Sequence, residues 1–138
     1  MIYEFCAENV TLLEKAMQAG ARRIELCDNL AVGGTTPSYG VTKAAVELAA
    51  NYDTTIMTMI RPRGGDFVYT DPEIEIMLED IRLTAQAGSQ GVVFGALTAD
   101  KKLDKTNLEK LIAASKGMEI VFHMAFDEIE NKVDALGK

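Results

Sequence analysis

Two cysteines, Cys6 and Cys27, sit in two short segments whose side chains alternate in character. In Arg23-Ile24-Glu25-Leu26-Cys27, Ile24 and Leu26 share one parity, and Arg23, Glu25 and Cys27 share the other. Glu4, Cys6 and Glu8 likewise fall together, opposite Tyr3, Phe5 and Ala7. A period of two is that of a β-strand, and neighbouring strands lie about 4.8 Å apart. Read this way, the two thiols occupy corresponding places on adjacent strands and face the same side. One soft cation could bridge them, and Cu(I) prefers thiolate and thioether ligands. Met57 and Met59 could add thioether donors from the next strand. The plainer alternative is that these sulfurs are core atoms, since free cysteine is among the most buried residue types. The ligand spacing of a zinc site is missing.

A second constellation is charged: Glu8, Glu25, Arg61, Arg63, His123 and Asp127. Arginines beside carboxylates keep the acids ionised and offer bidentate binding to an anion. Arg61 and Arg63 are therefore the candidate substrate-binding pair, with Glu8, Glu25 and His123 as candidate proton-transfer groups. His123, the chain's one histidine, could also ligate a metal. Structural roles compete with each assignment. Glu25 and Arg61 could form a buried ion pair, His123 could be a hydrogen-bonded interior residue, and Asp127 could cap a helix. Gly64-Gly65-Asp66 could let the backbone approach a phosphate or carboxylate, or could simply hold the two arginines at a rim. The turn is not a P-loop, which requires Gly-Lys-Ser/Thr.

Such groups converge only if several strands end together. Residues 2–8, 22–27, 54–60, 91–95 and 118–126 read as five strands. Asn9 is placed to cap a helix carrying Leu12, Leu13 and Ala16, with Gly20 at its end. Ser38 caps a second helix. Asp71-Pro72 opens a third that stops at Gly88. Thr106-Asn107-Leu108-Glu109 resembles a capping box for a fourth that stops at Gly117, and Asp127 with Glu130 starts a fifth. Gln18-Ala19-Gly20-Ala21 and Gln86-Ala87-Gly88-Ser89 repeat one helix-to-strand junction. The loop 29–37 is long for a strand-to-helix link, which usually takes about 2–6 residues. Strict alternation of strands and helices predicts a parallel sheet with right-handed crossovers.

A layered α/β sheet buries both faces of its strands and wants both apolar. A barrel tolerates polar inward residues near its C-terminal rim, where active sites form. The expected fold is therefore α/β of the TIM (β/α)8-type, with residues 1–138 a single domain supplying about five βα units. A complete barrel needs roughly 200–250 residues. The rival is a five-stranded doubly wound parallel sheet, which would bury Glu4, Arg23, Glu25 and Arg61 between helical layers at a cost.

The totals narrow the function classes. A hydrophobic fraction of 48% with 25% charged residues is ordinary for a globular domain. A net charge of −7 argues against a nucleic-acid partner, whose phosphates would be repelled. No apolar run approaches the roughly 20 residues of a membrane span, and Met1-Ile2-Tyr3-Glu4 does not begin a signal peptide. Two cysteines in this setting imply reduced thiols and a cytoplasmic location.

Cys6, Arg23-Ile24-Glu25-Leu26-Cys27, Gly33-Gly34-x-Thr36-Pro37-Ser38, Met59-Ile60-Arg61-Pro62-Arg63-Gly64-Gly65-Asp66-Phe67, Gly91-Val92-Val93-Phe94-Gly95 and Phe122-His123-x-Ala125-Phe126-Asp127 together resemble the copper homeostasis protein CutC family. The resemblance covers essentially the whole chain, and the arginine loop is its most specific part. It implies a cytoplasmic (β/α)8 barrel associated with copper handling. Met124 stands where the family usually has arginine, and family members continue for three further βα units. Three functional readings follow: a Cu(I)-binding protein using Cys6 and Cys27, an enzyme acting on a small anionic molecule, or a fragment without activity of its own. The expected partner is a copper ion or a small anion. The open edges of five strands would recruit another chain: either further βα units complete the barrel, which is the favoured expectation, or two partial barrels cover each other's edges as a homo-oligomer.

Overall fold

A computed structural model describes residues 4–10 and 12–122. Five strands, β1 (Glu4–Glu8), β2 (Arg23–Cys27), β3 (Thr55–Met59), β4 (Gly91–Phe94) and β5 (Glu119–Phe122), alternate with four helices. These are α1 (Leu13–Gln18), α2 (Tyr39–Ala49), α3 (Asp71–Gln86) and α4 (Lys105–Ala114). His123 and the helix expected from Asp127 lie outside the described residues.

All pairings are parallel, in the order β1-β2-β3-β4-β5. A doubly wound sheet reverses its strand order at a switch point. This sheet winds in one direction only, so the doubly wound alternative is overturned and the winding is that of a TIM-type barrel. Right-handed crossovers then place every helix on one face. The sheet also curls. Arg23 on β2 forms an ion pair with Glu119 on β5, although a flat sheet would hold those strands about 14 Å apart, three strand spacings. Curling brings the flanks together over a concave face.

The convex face carries the core. Ile24, Leu26 and Ile56 pack with Leu13, Met17, Ala45 and Ala49 of α1 and α2. Val92 and Phe94 pack with Ile74, Met77, Ile81, Leu108 and Leu111 of α3 and α4. Each fully buried side chain of this size contributes about 1.5–3 kcal/mol. Glycine is required at Gly91 on the concave face, where a Cβ would stand 2.4 Å from the Met57 sulfur.

Local signals behave as backbone chemistry demands, with three shifts. Ser38 caps α2, its hydroxyl accepting from the Val41 amide. Asn9 does not cap α1; its side chain accepts from the adjacent Val10 amide, and Leu12 occupies the cap position in a left-handed conformation. The cap of α3 is Thr70, one residue before the expected Asp71, in a reciprocal capping box with Glu73. The cap of α4 is Asp104, which accepts from the Asn107 amide; Thr106 lies inside the helix. In the last two cases a side-chain oxygen reaches the amide three residues on, the preferred geometry. The repeated junction is real: Gly20 and Gly88 both take positive φ (102° and 96°) immediately after α1 and α3.

Candidate functional site

Strand register decides where the thiols stand. Cys6 lies opposite Glu25, and Cys27 lies opposite Glu8. The two cysteines are therefore diagonal neighbours two residues out of step, a correction to their expected side-by-side placement. One row of the concave face runs Cys6, Glu25, Met57, Gly91, Glu119 across all five strands.

Cys6 is exposed. It lines an open cleft of about 410 Å³ with Ala7, Glu8, Asn9, Leu12, Asp28 and Leu30. Cys27 is buried at 1% exposure. Its thiol donates to the carbonyl of Ala7 at 3.6 Å, a residue of the cleft wall. Burial, and then the negative charges of Cys6, Glu8, Glu25 and Asp28, push the Cys27 thiol up to about 11. It is a neutral thiol at physiological pH.

What buries Cys27 is the loop that follows it. Asp28 and Thr35 exchange backbone hydrogen bonds of 2.9 and 2.7 Å, closing residues 28–35 on themselves. Gly34 then lies directly over the thiol: a Cβ there would be 3.3 Å from the Cys27 Sγ and 3.2 Å from the Met59 Cε. Its φ of +95° is also one that favours glycine.

Arg61 holds this loop. It is 5% exposed, and its Nη1 donates to the carbonyls of Val32 at 2.7 Å and Gly34 at 3.0 Å. Its Nη2 donates to the Gly65 carbonyl at 2.7 Å, and the guanidinium lies 4.8 Å from the Phe67 ring centre. The guanidinium thus ties two glycine loops together where the sequence suggested a pair with Glu25. The Arg61 Nε and the Tyr69 hydroxyl are buried without a hydrogen-bond partner among the described residues. Burial also raises the Tyr69 phenol to about 12, against the opposing pull of Arg61 and Arg63.

Arg63 braces the second loop. It grips Glu73 with Nε at 2.6 Å and Nη2 at 3.2 Å, and donates to the carbonyls of Asp66 at 3.0 Å and Val68 at 2.8 Å. The hydrogen bond from Arg63 holds the Glu73 carboxyl below the usual carboxylate range. Glu73 thereby serves the brace and the α3 capping box at once. Both candidate anion-binding arginines are thus engaged with loops of this chain.

Among the other candidates, Glu8 lines the cleft, and Glu25 sits in the row with Cys6. The methionines are packed: Met57 is fully buried against Gly91, and Met59 lies under Gly34. Sequence reasoning missed Asp28, Leu12 and Leu30 as cleft residues and Gly34 as the cover of Cys27. The Gly33-Gly34 pair in an over-long loop was the available signal. Among the described residues no group of three or more His, Cys, Asp or Glu side chains is placed to hold a metal. Among the described residues, the candidate soft donors are the two thiols, one open and one covered, and the buried thioethers of Met57 and Met59.

Comparison with known proteins bears on the whole chain. The family model for CutC matches residues 1–138. A CutC family protein of Streptococcus pyogenes is 55% identical over 129 residues, covering 94% of this chain and 62% of the relative. The human protein named copper homeostasis protein cutC homolog is 44% identical over 135 residues, 98% of this chain and 48% of that protein. The crystal structure of CutC from Streptococcus agalactiae superposes with a TM-score of 0.90 at 46% identity, covering 99% of this chain and 69% of that one. The chain thus spans roughly half to two thirds of the length of these curated relatives.

Proposed function

The chain belongs to the CutC family, and on that premise we propose that it serves copper homeostasis by binding Cu(I) through Cys6 and Cys27. The observation that carries the reading is the placement of two cysteine thiols, not joined in a disulfide, on one concave face, with Cys6 open to a cleft and Cys27 just behind its wall. Thiolate is the ligand Cu(I) prefers, and two such ligands suffice for a linear site. Glu8 and Asp28 line the same cleft and make its mouth negative, which draws a cation in. Cys6 meets the ion first. Cys27 completes the site once its proton has left and its sulfur has turned from the Ala7 carbonyl. Reduced cysteines of this kind fit a reducing cytoplasm.

The rival reading uses Arg61 and Arg63 to hold an anion while Glu8, Glu25 or His123 moves protons. It would require both arginines to abandon the loop carbonyls and the carboxylate that now engage them. The two readings separate in one experiment. The reduced full chain is titrated with Cu(I) against a competing chelator, beside Cys6→Ser, Cys27→Ser and the double variant. One tightly held ion per chain is expected, weakened in each single variant and lost in the double. Equal affinity in all four proteins would remove the thiol site.

A further inference from the structure

We propose that the Gly33–Gly34 segment is a lid over Cys27 and that Arg61 is its latch, so that this thiol is uncovered by a local opening of the loop. The inference goes beyond the copper reading, because it concerns access to the thiol whatever ion or reagent arrives.

The loop is built to move as a unit. Its ends are joined by the Asp28–Thr35 pair, and its interior by the Asn29 carbonyl, which accepts from the amides of Val32 and Gly34 at 3.1 and 3.2 Å. Left-handed conformations at Asn29, Gly33 and Gly34 mark where it can turn. Its outer residues, Leu30 and Val32, are exposed at 43% and 42%. The attachments of its far end are few. Val32 packs on Gly64, and Gly34 touches Cys27 and Met59. Among the described residues, the polar attachment of the Gly33–Gly34 tip itself is Arg61 Nη1, which takes the carbonyls on both sides of Gly33. Thr36, bonded to the Arg61 backbone, anchors the end about which the tip would turn.

Opening has a modest cost. The Val32 and Gly34 carbonyls would pass from a guanidinium to water, and no strand pairing would break. The closed state keeps the Arg61 Nε buried, with no hydrogen-bond partner among the described residues. Arg61 is thus a positioning residue for Cys27. A lysine there would keep the charge but could not present the planar fork that cinches the turn.

The test uses the full chain in a Cys6→Ser background, so that Cys27 is the sole thiol. Its labelling by a thiol-reactive aromatic disulfide is timed at low, sub-denaturing urea concentrations. The parent should label slowly, at a rate that stays flat with urea, the mark of local opening. Arg61→Lys should label about tenfold faster or more and remain flat. Gly34→Ala, whose methyl would crowd the Cys27 sulfur, should do the same. Arg82→Ala, which removes an exposed ion pair with Glu79 on α3, should leave the rate unchanged. Two results would overturn the proposal: a parent rate that tracks global unfolding in urea, or an Arg61→Lys rate equal to that of the parent. Arg61→Ala is not needed, so a failure of that variant to fold leaves the test intact.

Discussion

Cys6 and Cys27 carry the same group on the same face of paired strands, yet one is open and the other sealed. Cys6 faces a cleft, while Cys27 is 1% exposed under Gly34. The strands do not make this difference, because both follow the same alternation. The loops make it. After β1 the chain passes through Asn9 and Leu12, which line the cleft beside Cys6 without covering it. After β2 it doubles back on itself and is pinned by Arg61. In a barrel-type sheet the strands supply positions, and the rim loops set which positions are reactive.

The sharpest way to break the contrast is to remove the pin. Arg61→Ala leaves the carbonyls of Val32, Gly34 and Gly65 without their donor, at roughly 1 kcal/mol each, so about 3 kcal/mol of stability should be lost. Urea unfolding of Arg61→Ala beside Arg63→Ala checks this. A loss from Arg61→Ala no greater than that from the more exposed Arg63 would place Arg61 outside the framework. Gly91→Ala acts on the row that holds Cys6. Its methyl would meet the Met57 sulfur at 2.4 Å and the Glu119 carbonyl at 2.7 Å. Overpacking of this kind costs about 1–3 kcal/mol, and the melting temperature should fall while Cys27 stays covered.

A third comparison is electrostatic. The raised Cys27 pKa, about 11, means that Cu(I) entering the proposed site would have to displace its proton throughout the physiological range. Lower pH favours the thiol and opposes the metal. Apparent Cu(I) affinity should therefore climb about tenfold per pH unit for that proton between pH 6 and 8. Cys27→Ser should have a shallower slope than the parent, and identical slopes would refute the role given to Cys27. The smallest effect is expected at a helix cap. Thr70→Ala removes the α3 cap and should cost about 1 kcal/mol, with Cu(I) binding unchanged. Thermal unfolding beside a chelator titration reads both quantities.

Much of the fold was legible because it rests on local rules. Alternation in Arg23–Cys27, the glycines at 20 and 88, and the serine cap at 38 each express one residue's backbone or side-chain chemistry. Caps slipped by a residue or two where several capping residues stand together, as at Thr70-Asp71 and Asp104–Thr106. Register was not legible. Strands in a curled sheet are staggered, and no pattern within β1 or β2 states that Cys6 meets Glu25. The role of Arg61 was hidden for another reason. Charge patterning suggests carboxylate partners, whereas its partners are backbone carbonyls that every residue carries. Two Gly-Gly pairs in rim loops were the clue, since backbone without side chains needs an outside donor.

The central claim is that two differently guarded thiols form one Cu(I) site. It is tested most directly by residue-resolved alkylation of the reduced full chain, read by mass spectrometry with and without one equivalent of Cu(I). Without the ion, Cys6 should be modified quickly and Cys27 slowly. With it, both should become protected together. Protection of Cys6 with unchanged modification of Cys27 would contradict the account.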